Sequence, residues 1–92
     1  FRFAEALQKS AEKLGFSSEQ SELLVRQTLI GSAHILQENP KDTFALWRER
    51  VTSPKGSTEQ ALRVFNENDI NTLVQKASQS ALKRTKEFQT ER

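Results

Sequence analysis

The 92-residue sequence contains no cysteine, a single histidine and no long hydrophobic run. Without cysteine the chain has neither disulfides nor thiolate metal ligands, and one histidine does not make a structural zinc site. A membrane-spanning helix needs roughly 20 consecutive apolar residues, and no stretch approaches that length. The amino end also lacks the basic and then apolar pattern of a signal peptide. We therefore expect no metal and no membrane, and a cytoplasmic location, which suits a protein without cysteine.

Charge of neither sign dominates the chain. Lysine and arginine number 14 against 12 aspartate and glutamate residues, which gives a net charge of +2. That excess is too small and too evenly spread to indicate nucleic-acid binding, so we expect no nucleic-acid partner. The alternative, a basic surface near the carboxyl end, is weakened because Glu87 and Glu91 are interspersed there. Its basic residues would be Lys83, Arg84, Lys86 and Arg92.

The sequence shows no catalytic or cofactor motif. A dinucleotide site would have a glycine-rich turn between a strand and a helix, and none occurs here. The single His34 lies in a helical pattern, where an ordinary packed or surface histidine is favoured over a catalytic one. The chain begins at Phe1 rather than at methionine, with apolar Phe3 close behind. We expect it to be a piece of a longer protein.

Apolar residues recur at helical spacing over most of the chain, and no strand pattern is convincing. The first predicted helix runs from Phe3 to Leu14 and stops before Gly15, which tolerates the left-handed conformation. The second opens with Ser17 and Gln20 at the spacing of a capping box and continues for roughly 20 residues to "QENP". Gly31 at its middle lowers helix stability by about 1 kcal/mol relative to alanine, so we expect a close helix crossing there.

Three further helices complete the predicted fold. A short helix is capped by Asp42 and ends at about residue 50. The next begins at "STEQ", where Ser57 and Gln60 again have capping-box spacing. The last is capped by Asn68 or Asp69. The sequence thus predicts an all-α fold of five helices, two long and three shorter.

The second predicted helix has apolar residues over much more than one narrow stripe, which implies burial on more than one side. A domain of this size has little surface of its own with which to cover such a helix. The last helix carries an apolar stripe along its whole length. We therefore expect a homodimer built on the second and fifth helices, with a compact monomeric bundle as the alternative.

The loop "VTSPKGST", residues 51–58, differs in composition from the helices around it. Pro54 restricts the backbone, Gly56 permits conformations that other residues resist, and the following helix leaves its first N–H groups unpaired. Such a helix start binds carboxylate or phosphate. From spacing alone, an ordinary turn before a capped helix is the favoured alternative. The hydroxyl groups that can add donors belong to Ser53, Ser57 and Thr58.

The stretch "VTSPKGSTEQALRVFN", from Val51 to Asn66, resembles the signature of the pyrroline-5-carboxylate reductase family. The likeness continues in "FRFAEALQKSAEKLGFS", "LLVRQTLIGSAHIL" and "ALKRTKEF", which resemble other helices that follow the cofactor domain of this family. The resemblance therefore covers nearly the whole chain. The positions that match the signature in order are Val51, Thr52, Ser53, Pro54, Gly56, Thr58, Ala61 and Leu62.

The resemblance implies that residues 1–92 form a carboxy-terminal dimerisation and substrate-binding domain, which in this family interlocks with a second subunit. An amino-terminal Rossmann domain, absent from this chain, would bind NADPH or NADH. The complete protein would reduce 1-pyrroline-5-carboxylate to L-proline by hydride transfer, as a dimer or an assembly of dimers. The 92-residue piece alone would be inactive. The alternative is a free-standing helical interaction module without catalytic activity.

The resemblance also implies a place for the substrate carboxylate, in the loop over residues 53–58. The substrate-binding positions of the family fall on Ser53, Gly56, Ser57 and Thr58. Among these, the Thr58 hydroxyl group would donate a hydrogen bond to the substrate, and Lys55 would add an auxiliary positive charge. The helical domain orients the substrate in this scheme, so no catalytic residue is assigned.

Two positions depart from the pattern of the family. Lys55 stands where glycine is usual, so its backbone angle must be one that a side chain tolerates. Trp47 stands where an aliphatic residue is usual, and we expect it to be a core or interface residue. The acidic residue that the family places near the substrate nitrogen is left unassigned among Glu38, Lys41 and Asp42.

Overall fold

The computed structural model describes residues 1–91, and the side chains of residues 1–90. Arg92, which the sequence placed in the alternative basic surface, lies outside the described residues. The helices are α1 (Arg2–Lys13), α2 (Ser18–Glu38), α3 (Phe44–Arg50), α4 (Ser57–Glu67) and α5 (Ile70–Glu91). No strand is present in the described part of the chain. The predicted all-α fold with two long and three shorter helices is therefore confirmed.

The chain divides into two compact units, an amino-terminal unit over residues 1–43 and a carboxy-terminal unit that begins at Phe44. The amino-terminal unit contains α1 and α2, and the carboxy-terminal unit contains α3, α4 and α5. None of the helices in residues 1–91 is both long and apolar enough to cross a bilayer. The cytoplasmic location stays a prediction.

In the amino-terminal unit, α1 packs against α2, and a left-handed turn at Gly15 ends α1. Gly15 has φ +110°, and its N–H donates to the Glu12 carbonyl at 3.0 Å, while the N–H of Phe16 reaches the Ala11 carbonyl at 3.2 Å. These two bonds are typical of a Schellman motif, as expected for a helix that stops before glycine. Ser21 and Val25, one turn apart on α2, are the buried residues among those described.

The start of α2 forms the predicted capping box. The N–H of Gln20 donates to the Ser17 hydroxyl oxygen at 3.1 Å, and the N–H of Ser17 donates to the Gln20 side-chain oxygen at 3.0 Å. A Cβ placed at Gly31 would meet no atom of the described chain within 4 Å, so the close crossing expected there is not made within this chain, and a crossing with a second copy stays a prediction. Large apolar side chains remain exposed on several sides of α2. They include Leu23, Leu24, Leu29 and Ile30.

Two predicted caps concern helices of the carboxy-terminal unit. Helix α3 begins at Phe44, and the cap by Asp42 stays a prediction. Helix α5 is capped by Asp69, whose carboxylate accepts hydrogen bonds from the backbone N–H of Thr72 at 3.3 Å and from its hydroxyl group at 2.6 Å. Asn68 instead ends α4, where its side-chain amide donates to the Val64 carbonyl at 2.9 Å.

Candidate functional site

The candidate site is the loop over residues 51–56 together with the first turn of α4. Its first residues are held to the end of α3. The N–H of Val51 donates to the Trp47 carbonyl at 3.1 Å, and the N–H of Thr52 donates to the Glu49 carbonyl at 3.1 Å. The Thr52 hydroxyl group also donates to the Arg48 carbonyl. The first two residues of the loop are therefore fixed to the end of α3 by hydrogen bonds.

A tight turn over Ser53–Gly56 forms the centre of the loop. The N–H of Gly56 donates to the Ser53 carbonyl at 2.9 Å, and Lys55, the third residue of the turn, has φ +61°. Proline at the second position and a positive φ at the third are typical of a type II turn, where glycine normally takes the third position. Glycine suits position 55 because the turn requires a positive φ there. Lys55 adopts this left-handed conformation despite its side chain.

Gly56 is needed for space rather than for an unusual backbone angle. Its φ of −86° and ψ of 177° are open to any residue, so the prediction that it adopts a conformation other residues resist is wrong. A Cβ at this position would lie 3.0 Å from the Ser53 carbonyl oxygen and 3.3 Å from the Ser53 Cβ. A side chain at position 56 would therefore push against the backbone of the turn.

Helix α4 begins without the predicted capping box. Gly56 occupies the N-cap position and Ser57 is the first helical residue, so the hydroxyl group of Ser57 does not cap the helix. The first bond of the helix runs from the N–H of Gln60 to the Gly56 carbonyl at 3.4 Å. Within residues 1–91, the N–H groups of Ser57 and Thr58 have no hydrogen-bond partner. These two backbone donors are available at the start of an 11-residue helix.

The predicted site residues meet in this one loop and differ in exposure. Ser53, Lys55 and Ser57 are exposed, whereas Gly56 and Thr58 are half-buried. The N–H of Gly56 is already used by the turn, whereas the N–H groups of Ser57, Thr58 and Glu59 have no partner in residues 1–91. The macrodipole of α4 adds a partial positive charge at the same end.

Sequence reasoning missed Glu59, the third residue of α4. One oxygen of its half-buried carboxylate accepts a hydrogen bond from the backbone N–H of Lys55. The available signal was a glutamate three residues after the N-cap, the position from which this side chain commonly reaches back to backbone N–H groups. That signal was masked because the N-cap was assigned to Ser57 instead of Gly56.

Other singled-out residues lie outside the loop. Trp47 in α3 is half-buried, and the Arg50 guanidinium lies 4.8 Å from the centre of its ring. Its indole N–H is buried without a hydrogen-bond partner in the part of the chain that the structure describes. His34 is exposed on α2. The three positions considered for the acidic residue belong to the amino-terminal unit and stay unassigned. They are Glu38, Lys41 and Asp42.

An all-α chain whose long helices carry exposed apolar side chains has the features of a helical assembly domain. The chain matches the family described as pyrroline-5-carboxylate reductase dimerisation over residues 1–88, and it belongs to this family. The predicted family resemblance is thereby confirmed.

Individual relatives match over nearly the whole chain. The chain is 42% identical over 89 residues to pyrroline-5-carboxylate reductase of Vibrio alginolyticus, which covers 97% of this chain and 33% of the relative. It is 36% identical over 90 residues to the enzyme of Haemophilus influenzae, covering 98% and 33%. It is 33% identical over 86 residues to pyrroline-5-carboxylate reductase 3 of the rat, covering 94% and 31%. The chain thus spans about a third of the length of these relatives. No solved structure matches it significantly.

Proposed function

We propose that this chain is the dimerisation and substrate-binding domain of a reductase that converts 1-pyrroline-5-carboxylate to L-proline with NADPH or NADH as the reductant. The observation that carries the proposal is the family match over residues 1–88. The relatives named above are reductases about three times as long as this chain. Their length argues for a larger enzyme rather than for a free-standing interaction module.

The turn and the start of α4 are proposed to bind the substrate carboxylate. Backbone N–H groups at a helix start attract anions through their unpaired donors and the helix macrodipole. Ser57 and Thr58 supply two such donors, and the hydroxyl groups of Thr58 and Ser53 can add hydrogen bonds. Lys55 adds an exposed positive charge beside them. Gly56 serves this site sterically, by letting the turn close.

The nicotinamide cofactor is assigned to a part of the protein outside this chain. Residues 1–91 contain no strand, and hence no strand–turn–helix unit of the kind that binds a dinucleotide. The cofactor supplies the hydride, while the residues of this chain bind the substrate and hold it in one orientation. No side chain of this chain is assigned a proton-transfer or nucleophilic role.

A homodimer built on α2 and α5 is proposed to cover the exposed apolar side chains. On α5, Leu73, Leu82 and Phe88 are between 53% and 67% exposed, which is unusual for large apolar residues in a stable domain. A second copy would cover them along with the apolar positions of α2, and such dimers can assemble further. Sedimentation equilibrium should show a dimer at micromolar concentration. A monomer at all concentrations would contradict this interface.

The activity is tested with the full natural protein that contains this chain. Mixed with 1-pyrroline-5-carboxylate and NADPH or NADH, it should consume the reduced cofactor, measured by absorbance, and produce L-proline, detected directly. The 92-residue chain is the matched control and should give no turnover. A folded, dimeric full-length protein that is inactive with both cofactors would contradict the reductase proposal and favour the interaction module.

A further inference from the structure

Glu59 makes a contact that reaches back across the turn. In a capping box the glutamate at the third helical position accepts the N–H of the N-cap residue. Here the N–H of the N-cap residue, Gly56, is already donated to the Ser53 carbonyl at 2.9 Å. The Glu59 carboxylate therefore bonds one residue further back, to the N–H of Lys55.

The N–H of Lys55 belongs to the central peptide group of the Ser53–Gly56 turn. Type I and type II turns differ mainly in the direction of that peptide group, and type II requires a positive φ at the third residue. A lysine resists that angle, so at this position the turn would favour type I unless another contact holds it. The hydrogen bond to Glu59 holds the central peptide in the orientation that Lys55 adopts at φ +61°.

The same bond also decides which donors stay available. A carboxylate in the first turn of a helix can itself occupy the unpaired N–H groups there. The Glu59 carboxylate is instead directed to Lys55, and the N–H groups of Ser57 and Thr58 have no partner in residues 1–91. Glu59 thus orients the turn without filling the anion-binding position.

We infer that Glu59 is a positioning residue for the carboxylate loop: it selects the turn type that lysine at position 55 disfavours. The inference concerns how the loop is built, and its effect on substrate binding rests on the function proposed above. It also explains how a lysine is accommodated where glycine would fit without assistance.

Steady-state kinetics of the full-length enzyme test the role of Glu59. Glu59→Ala should raise KM for 1-pyrroline-5-carboxylate about five- to ten-fold with kcat little changed, because one ordering hydrogen bond is lost. Glu59→Gln keeps an acceptor and should stay within about two-fold of the parent. A purely electrostatic role predicts the opposite, since removing a negative charge beside an anion site should lower KM in both variants. Glu67→Ala, at the far end of α4, is the matched charge control and should leave KM unchanged.

Lys55→Gly supplies a second test, because glycine adopts a positive φ without help. In the Lys55→Gly background, Glu59→Ala should raise KM by less than about two-fold. Equal effects of Glu59→Ala in both backgrounds would overturn the inference, because the two residues would then act independently.

Hydrogen–deuterium exchange of the full-length protein separates this inference from the proposed function. The Lys55 amide should exchange at least several-fold faster in Glu59→Ala than in the parent or in Glu67→Ala, whether or not the enzyme turns over. Exchange at Lys55 that is unchanged by Glu59→Ala would overturn the positioning role. An inactive parent protein with the expected exchange difference would contradict only the reductase activity.

Discussion

Two helix starts in this chain share almost the same sequence and have different structures. Helix α2 begins at the second residue of "SSEQ", residues 17–20, and α4 begins at the first residue of "STEQ", residues 57–60. In the first, Ser17 is the N-cap and exchanges two hydrogen bonds with Gln20. In the second, Gly56 is the N-cap and no side chain caps the helix. The four residues alone therefore do not determine how a helix begins.

The residues before each motif account for the difference. Ahead of α2, Gly15 ends the preceding helix in a left-handed turn, and Ser17 is free to cap α2. Ahead of α4, the Ser53–Gly56 turn closes on Gly56, so the helix begins one residue earlier in the motif. At the start of α2 the N–H of Gln20, the third helical residue, donates to the Ser17 hydroxyl oxygen, whereas at the start of α4 the N–H of the third helical residue, Glu59, has no partner in residues 1–91. A shift of one residue therefore removes the side-chain cap and leaves one more N–H group unpaired at the start of α4.

Among the substitutions that test this comparison, Thr58→Ala in the full-length enzyme should have the largest effect, an increase in KM. The hydroxyl group and N–H of residue 58 lie at the start of α4, and a hydrogen bond to a charged group is worth about 1.5–3 kcal/mol. We expect KM for 1-pyrroline-5-carboxylate to rise by at least about ten-fold, with a small change in unfolding free energy. Ser18→Ala changes the equivalent position of the "SSEQ" motif in α2 and should leave KM unaltered. Unchanged kinetics in Thr58→Ala would remove this residue from the proposed site.

Gly56→Ala should disrupt the turn over Ser53–Gly56, which directly precedes α4. The added Cβ would lie 3.0 Å from the Ser53 carbonyl oxygen, which belongs to the backbone and cannot swing aside. We expect the unfolding free energy, measured in urea, to fall by about 1–3 kcal/mol, as for other overpacked positions. Ser57→Ala, at the neighbouring position, is the control, because it removes an exposed hydroxyl group that caps nothing. Equal stability losses in both variants would contradict a specific steric role for Gly56.

Local patterns predicted most of the fold. The helices and the start of α2 were correctly predicted because helical periodicity and the Ser17–Gln20 bonds involve residues only three or four positions apart. The start of α4 was not, because it depends on a turn that lies before the motif. Glycine at position 56 was predicted to provide a special backbone angle. It is needed instead because Ser53 approaches too closely for a Cβ, while its backbone angles are ordinary.

The candidate site was predictable only in part. The loop and its residues came from a family resemblance, since spacing alone favoured an ordinary turn. The contribution of Glu59 was missed, because its contact depends on which residue is the N-cap and on the direction of one peptide group. Periodicity carries no information on either of these.

Serine substitutions compare the two helix starts directly, with a smaller expected effect. Ser17→Ala removes a capping hydroxyl group and should lower the unfolding free energy by about 1 kcal/mol. Ser57→Ala removes an exposed hydroxyl group that caps nothing and should change stability by less than about 0.5 kcal/mol. Both are measured by urea unfolding of the same protein. A loss in Ser57→Ala as large as in Ser17→Ala would mean that the start of α4 is capped in solution.

A third helix start, that of α5, adds a dependence on pH and gives the smallest expected effect. Hydrogen bonds from the Thr72 hydroxyl group and then from its backbone N–H hold the pKa of Asp69 below the ordinary value of 3.8. Because the folded-state pKa is lowered, the stabilisation is present above about pH 4 and is lost as pH falls through the lowered pKa. Unfolding free energies measured from pH 5 downward should therefore decrease less steeply in Asp69→Asn than in the parent protein. Ser17→Ala removes a cap that does not titrate and should therefore keep the parental slope. Identical slopes in all three proteins would show that the Asp69 cap contributes no pH dependence.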